Sequence, residues 1–278
     1  MLTHSTPVEL YNKIWVKRED LCAIPPAPPF SKYRGVEAHI AKRPEKVIGV
    51  LDTLHSKAGW AVAAACRELG KKCINYYPHY KYEESGLRPY QQKAAALGAE
   101  LVALNAGMSA VLWNQARNRF HQSHPWEGLL PDARDTGYMM PNALKIDESA
   151  EETAREFQAT KFPEPPNHVV ISVSSGTIAA GVLRGLMYTG LRPLVHIHLG
   201  YSRPADSVRG YLRKMTAEDP YPQGLLHLVD EGYKYADQVT DIEAPFPCNS
   251  YYDLKAWKWV LEQKWKRDKP VLFWNIGA

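Results

Sequence analysis

Val16-Lys17-Arg18-Glu19-Asp20-Leu21-Cys22-Ala23-Ile24-Pro25-Pro26-Ala27-Pro28-Pro29-Phe30-Ser31-Lys32-Tyr33-Arg34-Gly35-Val36-Glu37 is the segment from which the rest of the chain is read. A short strand ends in the charge cluster Lys17-Arg18-Glu19-Asp20. A proline-rich loop follows, and Ser31-Lys32-Tyr33-Arg34 opens a helix. Prolines stiffen the loop and hold one lysine at a fixed place. A lysine held beside a strand end and partly desolvated loses proton affinity, as Schiff-base chemistry requires.

Outward from this segment, short apolar runs alternate with helical patterns. Val47–Leu51 reads as a buried strand, and a helix over 57–69 follows, capped by Ser56 and ended by Gly70. Strands at 73–77 and 101–104 alternate with helices at 87–97 and 110–120. Ser149 and Glu152 have capping-box spacing for a helix to about residue 160. Strands at 168–173, 194–199 and 271–274 alternate with helices at 177–187, 208–215 and 253–266. This alternation predicts an α/β fold with parallel sheets covered by helices on both faces.

Ser174-Ser175-Gly176-Thr177 lies between an apolar strand and a helix. Small hydroxyl residues at a helix N-terminus form an anion site, and also occur in ordinary turns. In residues 255–269 lysines and tryptophans interleave. Trp257, Val260 and Leu261 are expected to face the core with the lysines solvated; a basic, aromatic nucleic-acid surface is the sharper alternative.

Val-Lys-Arg-Glu-Asp-Leu (16–21) followed by Ser-Lys-Tyr-Arg-Gly-Val-Glu (31–37) resembles the fold type II pyridoxal-phosphate (PLP) enzymes, the tryptophan synthase beta-like group. The branch it is most similar to is that of 1-aminocyclopropane-1-carboxylate deaminase and D-cysteine desulfhydrase. The resemblance implies two three-layer α/β domains: a larger PLP-binding domain (1–45 and 137–278) and a smaller one (46–136), with the active site in the cleft between them. It implies that Lys32 carries the cofactor as a Schiff base and then works as base or acid at the substrate α-carbon. Ser174, Ser175, Gly176 and Thr177 would take the PLP phosphate. Tyr252 and Asp253 match the branch's tyrosine and acid, Asp253 as partner of the pyridine nitrogen. Thr53 and Tyr252 are candidate proton carriers.

The chain departs from the branch where the substrate is held. Asp52, Thr53 and His55 stand in the substrate-binding turn, with Leu54 in place of an asparagine. Asp52 would repel a carboxylate placed beside it, so 1-aminocyclopropane-1-carboxylate and D-cysteine are expected to be poor substrates. Asn275 and Ile276 replace a histidine and a threonine, while Gly277 is kept. The expected reaction is that of a PLP-dependent lyase or deaminase on an unusual amino-acid substrate. Three alternatives stay open: a decarboxylase, an enzyme for an amino acid attached to a macromolecule such as a modified DNA base, and a non-catalytic binding protein.

The 278 residues suffice for one large or two smaller domains, and the net charge of +4 is too mild to argue for an acidic partner. Cys22, Cys66, Cys73 and Cys248 form no C-x-x-C pair, so a reduced, cytoplasmic setting without a metal site is expected. No membrane segment is read, and a homodimer acting on a small amino-acid substrate is the expected assembly.

Overall fold

The computed structural model describes residues 2, 5–53, 55–79, 86–105, 107–124, 136–216, 221–266 and 268–277. Leu54 lies outside the described residues. The chain divides into two compact units, one of Pro25–Pro28 and Val36–Ile146, the other of Leu2–Ile24, Pro29–Gly35 and Asp147–Ala278.

The first unit is built on a parallel sheet ordered β5-β4-β3-β6, from β3 (Val47–Leu51), β4 (Lys72–His79), β5 (Glu100–Asn105) and β6 (Gly137–Met139). The sequence division at residue 137 falls at the head of β6, which pairs with β3. Between strands run α2 (Ala58–Glu68), α3 (Pro89–Ala96) and α4 (Ser109–Ser123). Leu51, Ile74, Tyr76 and Leu104 from the sheet pack on Leu112, Ala116 and Phe120 of α4. Trp60 of α2 donates its indole N–H to the Pro26 carbonyl at 2.8 Å and so pins the proline loop.

The second unit carries a six-stranded sheet ordered β1-β2-β10-β7-β8-β9. Its strands are β1 (Val8–Tyr11), β2 (Ile14–Arg18), β7 (His168–Val173), β8 (Leu194–Leu199), β9 (Leu226–Val229) and β10 (Val271–Asn275). Among the described strands of this sheet, β1 and β2 pair antiparallel and the other neighbours pair parallel. One face packs on α5 (Asp147–Ala159), α6 (Thr177–Thr189) and α7 (Ala205–Met215) through Phe157, Ile178, Leu183, Leu212 and Trp274. The other packs Val16, Val170 and Phe273 on Trp257 and Val260 of α8 (Asp253–Glu262). Helices on both faces make this unit three-layered, as the strand–helix alternation requires. The four-residue edge strands β1 and β9 are too short to show alternation in sequence.

Two helix readings change. α5 begins at Asp147, so Ser149 lies inside its first turn and is no N-cap. Its small side chain instead lets α1 (Lys32–Ala41) approach: a Cβ on Gly35 would fall 2.2 Å from the Ser149 Cα. α8 stops at Glu262, and Trp265 turns back to donate its indole N–H to the Val260 carbonyl at 2.8 Å. Trp257 and Val260 are buried as expected, but Leu261 is exposed and Lys255 is fully buried. Burial lowers the Lys255 pKa, and its ammonium is satisfied by the Gly200 carbonyl at 2.7 Å.

Candidate active site

The charge cluster after β2 is folded inward. Lys17, 0% exposed, donates to Glu156 Oε1 at 2.5 Å and to the Thr6 carbonyl at 2.6 Å. Arg34 Nε reaches Glu19 Oε2 at 3.2 Å, and Arg34 Nη2 reaches Glu156 Oε2 at 3.4 Å. Arg18 pairs with Asp20 at 2.7 Å and with Glu9. Burial alone would raise the Glu156 pKa; Lys17 and Arg34 overturn that and hold it below the ordinary carboxylate value. The cluster thus ties β2, α5 and the first turn of α1 together, and Lys32 stands at the head of that turn.

Lys32 is half-buried and donates from Nζ to Ser175 Oγ at 2.7 Å. Ser175 lies in the turn from β7 into α6. Its hydroxyl is 3.2 Å from Thr177 Oγ1, which is 2.9 Å from the Tyr211 hydroxyl. Gly176 has φ +94°, a conformation L-residues rarely adopt, and a Cβ there would lie 2.9 Å from the Tyr211 ring. The turn presents hydroxyls and the first N–H groups of α6 to one point, a cradle for a phosphate. A lysine amine aimed into that cradle and a carboxylate nearby form a donor set that fits pyridoxal phosphate.

That carboxylate is Asp253, 2% exposed at the first residue of α8. The Ile276 N–H donates to Asp253 Oδ1 at 3.4 Å. Ser31 N–H donates to the Ile276 carbonyl at 2.9 Å, so the residue before Lys32 is tied to the exit of β10. Gly277 is required there: it has φ +129°, and a Cβ would lie 2.1 Å from the Pro29 carbonyl oxygen. Asn275 is occupied elsewhere, donating to Asp20 Oδ1 and the Pro247 carbonyl, both at 2.9 Å. Tyr252 precedes Asp253 and hydrogen-bonds Ser174 and Tyr235. Its burial pushes the phenol pKa well above the ordinary value. The ring of contacts Ser31, Ile276, Asp253, Tyr252, Ser174, Ser175 and Lys32 therefore closes within the second unit, at the carboxyl ends of its parallel strands.

Asp52, Thr53 and His55 belong to the first unit, in the turn between β3 and α2. Asp52 is 1% exposed, and burial pushes its carboxyl up to about 7. Hydrogen bonds from the Gly59 backbone, Ser56 and the Thr53 N–H at 3.2 Å oppose that rise. The side chain is turned into its own unit, so the expected repulsion of a substrate carboxylate loses its premise. Thr53 and His55 are half-buried in the same turn.

Sequence reasoning missed Tyr201 and Tyr235, whose rings meet edge-on at 5.4 Å, with Tyr235 in turn 6.4 Å from the Tyr252 ring. The available signal was position: Gly200-Tyr201-Ser202-Arg203 leaves the carboxyl end of β8.

Comparisons with known proteins bear on the family and on the fold. The family model described as "Pyridoxal-phosphate dependent enzyme" matches residues 3–235. A glycyl-dTMP PLP-dependent decarboxylase of Pseudomonas phage M6 is 46% identical, and the match covers 100% of both chains. Among solved structures, an ACC deaminase homologue superposes with a TM-score of 0.80 at 17% identity, over 99% of this chain and 90% of that one. A serine racemase from Dictyostelium discoideum gives 0.65 at 14% identity, over 99% and 92%. At these identities the structural likeness speaks for the fold.

Proposed function

The chain belongs to the pyridoxal-phosphate dependent enzymes, and from that premise we propose that it decarboxylates an amino acid carried on a nucleotide base. One observation carries the choice of reaction: the 46% identical, full-length relative is named for decarboxylation of glycyl-dTMP. Of the reactions left open by sequence, this favours decarboxylation over deamination of a free amino acid.

When bound, pyridoxal phosphate supplies an aldehyde for a primary amine and a ring that accepts an electron pair. Lys32 is the amine that would hold it, and Ser174, Ser175, Gly176 and Thr177 would hold its phosphate. Asp253 would sit on the ring nitrogen and keep that atom protonated. The Cα–carboxylate bond of the substrate breaks, CO2 leaves, and a proton delivered by the Lys32 ammonium takes its place on Cα. Tyr252, bonded to Ser174, orients the cradle. Both the amine and the carboxylate of the glycyl group must be free for this chemistry, which leaves its α-carbon as the point of attachment to the base.

The test is a mass balance on purified, PLP-loaded protein given thymidylate with a glycyl group so attached. The expected products are CO2 and a nucleotide that keeps the amine. Ammonia release with the carboxylate retained would replace this reading with deamination.

A further inference from the structure

Arg203 follows β8 by four residues and is not among the residues assigned above to the cofactor. Its Nε and Nη2 are buried and have no hydrogen-bond partner. The side chain hydrogen-bonds Tyr201, with its guanidinium carbon 5.3 Å from the Tyr201 ring centroid. Among the described residues no carboxylate pairs with it. Burial pulls its pKa below the ordinary guanidinium value, and the Tyr201 hydroxyl opposes that shift. A half-buried cation with two buried, unused donors is costly unless something completes it.

The segment that carries it is held on several sides. The Lys255 ammonium donates to the Gly200 carbonyl at 2.7 Å. The Ser202 N–H donates to the Tyr233 carbonyl at 2.7 Å, and the Ser202 hydroxyl donates to Asp230. Two N–H donors in a fixed plane match the two oxygens of a carboxylate or phosphate. Tyr201 lies against Tyr235, which is 36% exposed, and Tyr235 against Tyr252. The half-buried phenols of Tyr252 and Tyr201 and the exposed one of Tyr235 lead from the cofactor cradle to the guanidinium, a surface that suits a planar base.

Resting on the reading of a nucleotide-borne substrate, we infer that Arg203 receives an oxyanion of the substrate while Tyr201 and Tyr235 carry its pyrimidine. The oxyanion is the nucleotide phosphate or the carboxylate to be lost, and a binding experiment separates them. Titration calorimetry on PLP-loaded protein would compare thymidine, dTMP and carboxymethyl-deoxyuridine, which has a carboxylate on the base and no phosphate. In native protein, one of the two anions is expected to bind at least about tenfold tighter than thymidine. Arg203→Gln should weaken that anion by about 10- to 100-fold and leave thymidine unchanged, with Arg203→Lys between the two. A loss confined to dTMP assigns the phosphate; a loss confined to carboxymethyl-deoxyuridine assigns the carboxylate. Equal affinities of all three ligands for native protein would overturn the inference. So would an Arg203→Gln variant, with PLP absorbance intact, that binds every ligand as native protein does or weakens all three alike. Failure of CO2 release with the anion preference intact would overturn the decarboxylase reading and leave Arg203 in its role.

Discussion

Replacing Glu156 by glutamine tests whether the buried charge cluster fixes the start of α1. Glu156 accepts from Lys17 at 2.5 Å, from the Thr6 N–H at 2.8 Å and from Arg34 at 3.4 Å. Glutamine keeps an acceptor for Thr6 but removes the charge that balances Lys17, which is 0% exposed. Breaking a buried pair from one side costs about 3–5 kcal/mol. The protein can escape by releasing the Lys17 proton. From an ordinary lysine pKa of 10.5, that costs at most about 5 kcal/mol at pH 7. The two routes agree, so Glu156→Gln should lose about 3–5 kcal/mol. The deficit should shrink by about 1.4 kcal/mol per pH unit as the pH rises toward 10.5 and releasing the Lys17 proton becomes cheaper. Guanidinium unfolding followed by tryptophan fluorescence reads this. Lys17→Met added to Glu156→Gln should recover at least about 2 kcal/mol, since the uncompensated charge is then gone. A single variant within about 1 kcal/mol of native, or a double variant no better than the single, would mean that Glu156 does not balance the Lys17 charge.

Two further outcomes follow from the carboxylates. Asp52 is neutral in the folded state up to about pH 7, against 3.8 for an ordinary aspartate. The folded state therefore binds more protons between these values, and Asp52 makes stability fall as pH rises through that window, by on the order of 4 kcal/mol. Asp52→Asn should lose that fall, seen as the native-minus-variant difference in unfolding midpoint across pH 4–8; a difference that stays flat would mean that Asp52 is ionised throughout. Asp253→Asn should keep the yellow cofactor band and lose at least about a hundredfold in kcat, because the ring nitrogen loses its anionic partner; unchanged turnover would leave Asp253 as a charge at the α8 N-terminus.

Much of this was legible in the sequence, for identifiable reasons. The apolar runs of β3, β7, β8 and β10 are buried on both faces and read as continuous hydrophobic strands. Lys32 and the 174–177 turn were legible because their chemistry is local: a proline-held lysine, and small residues between strand and helix. Side-chain direction was not legible. Asp52 follows a strand end as a substrate-facing residue would, yet α2 begins close enough for the Gly59 N–H to draw the carboxyl inward. Ser149 and Glu152 have the spacing of a capping box, but Asp147 starts the helix and Gly35 needs the small serine beside it. Lys255 sits in a run of lysines that reads as solvated; only the fold brings the Gly200 carbonyl to it. Arg203 and Tyr201 carry no motif, because their significance lies in the tyrosines that distant segments place around them.

In the second unit Lys17 and Lys255 are fully buried and Lys32 is half-buried. Burial lowers the pKa of Lys17 and of Lys255, so either could compete for an aldehyde on pKa grounds alone. The difference is geometric: Lys17 is spent on Glu156, Lys255 on the Gly200 carbonyl, and Lys32 points at Ser175 in the phosphate cradle. Borohydride reduction of the PLP-loaded protein, followed by peptide mapping, distinguishes them directly. The pyridoxyl group is expected on Lys32 and absent from the Lys32→Ala variant; a label on Lys17 or Lys255 would remove Lys32 from the role of cofactor lysine.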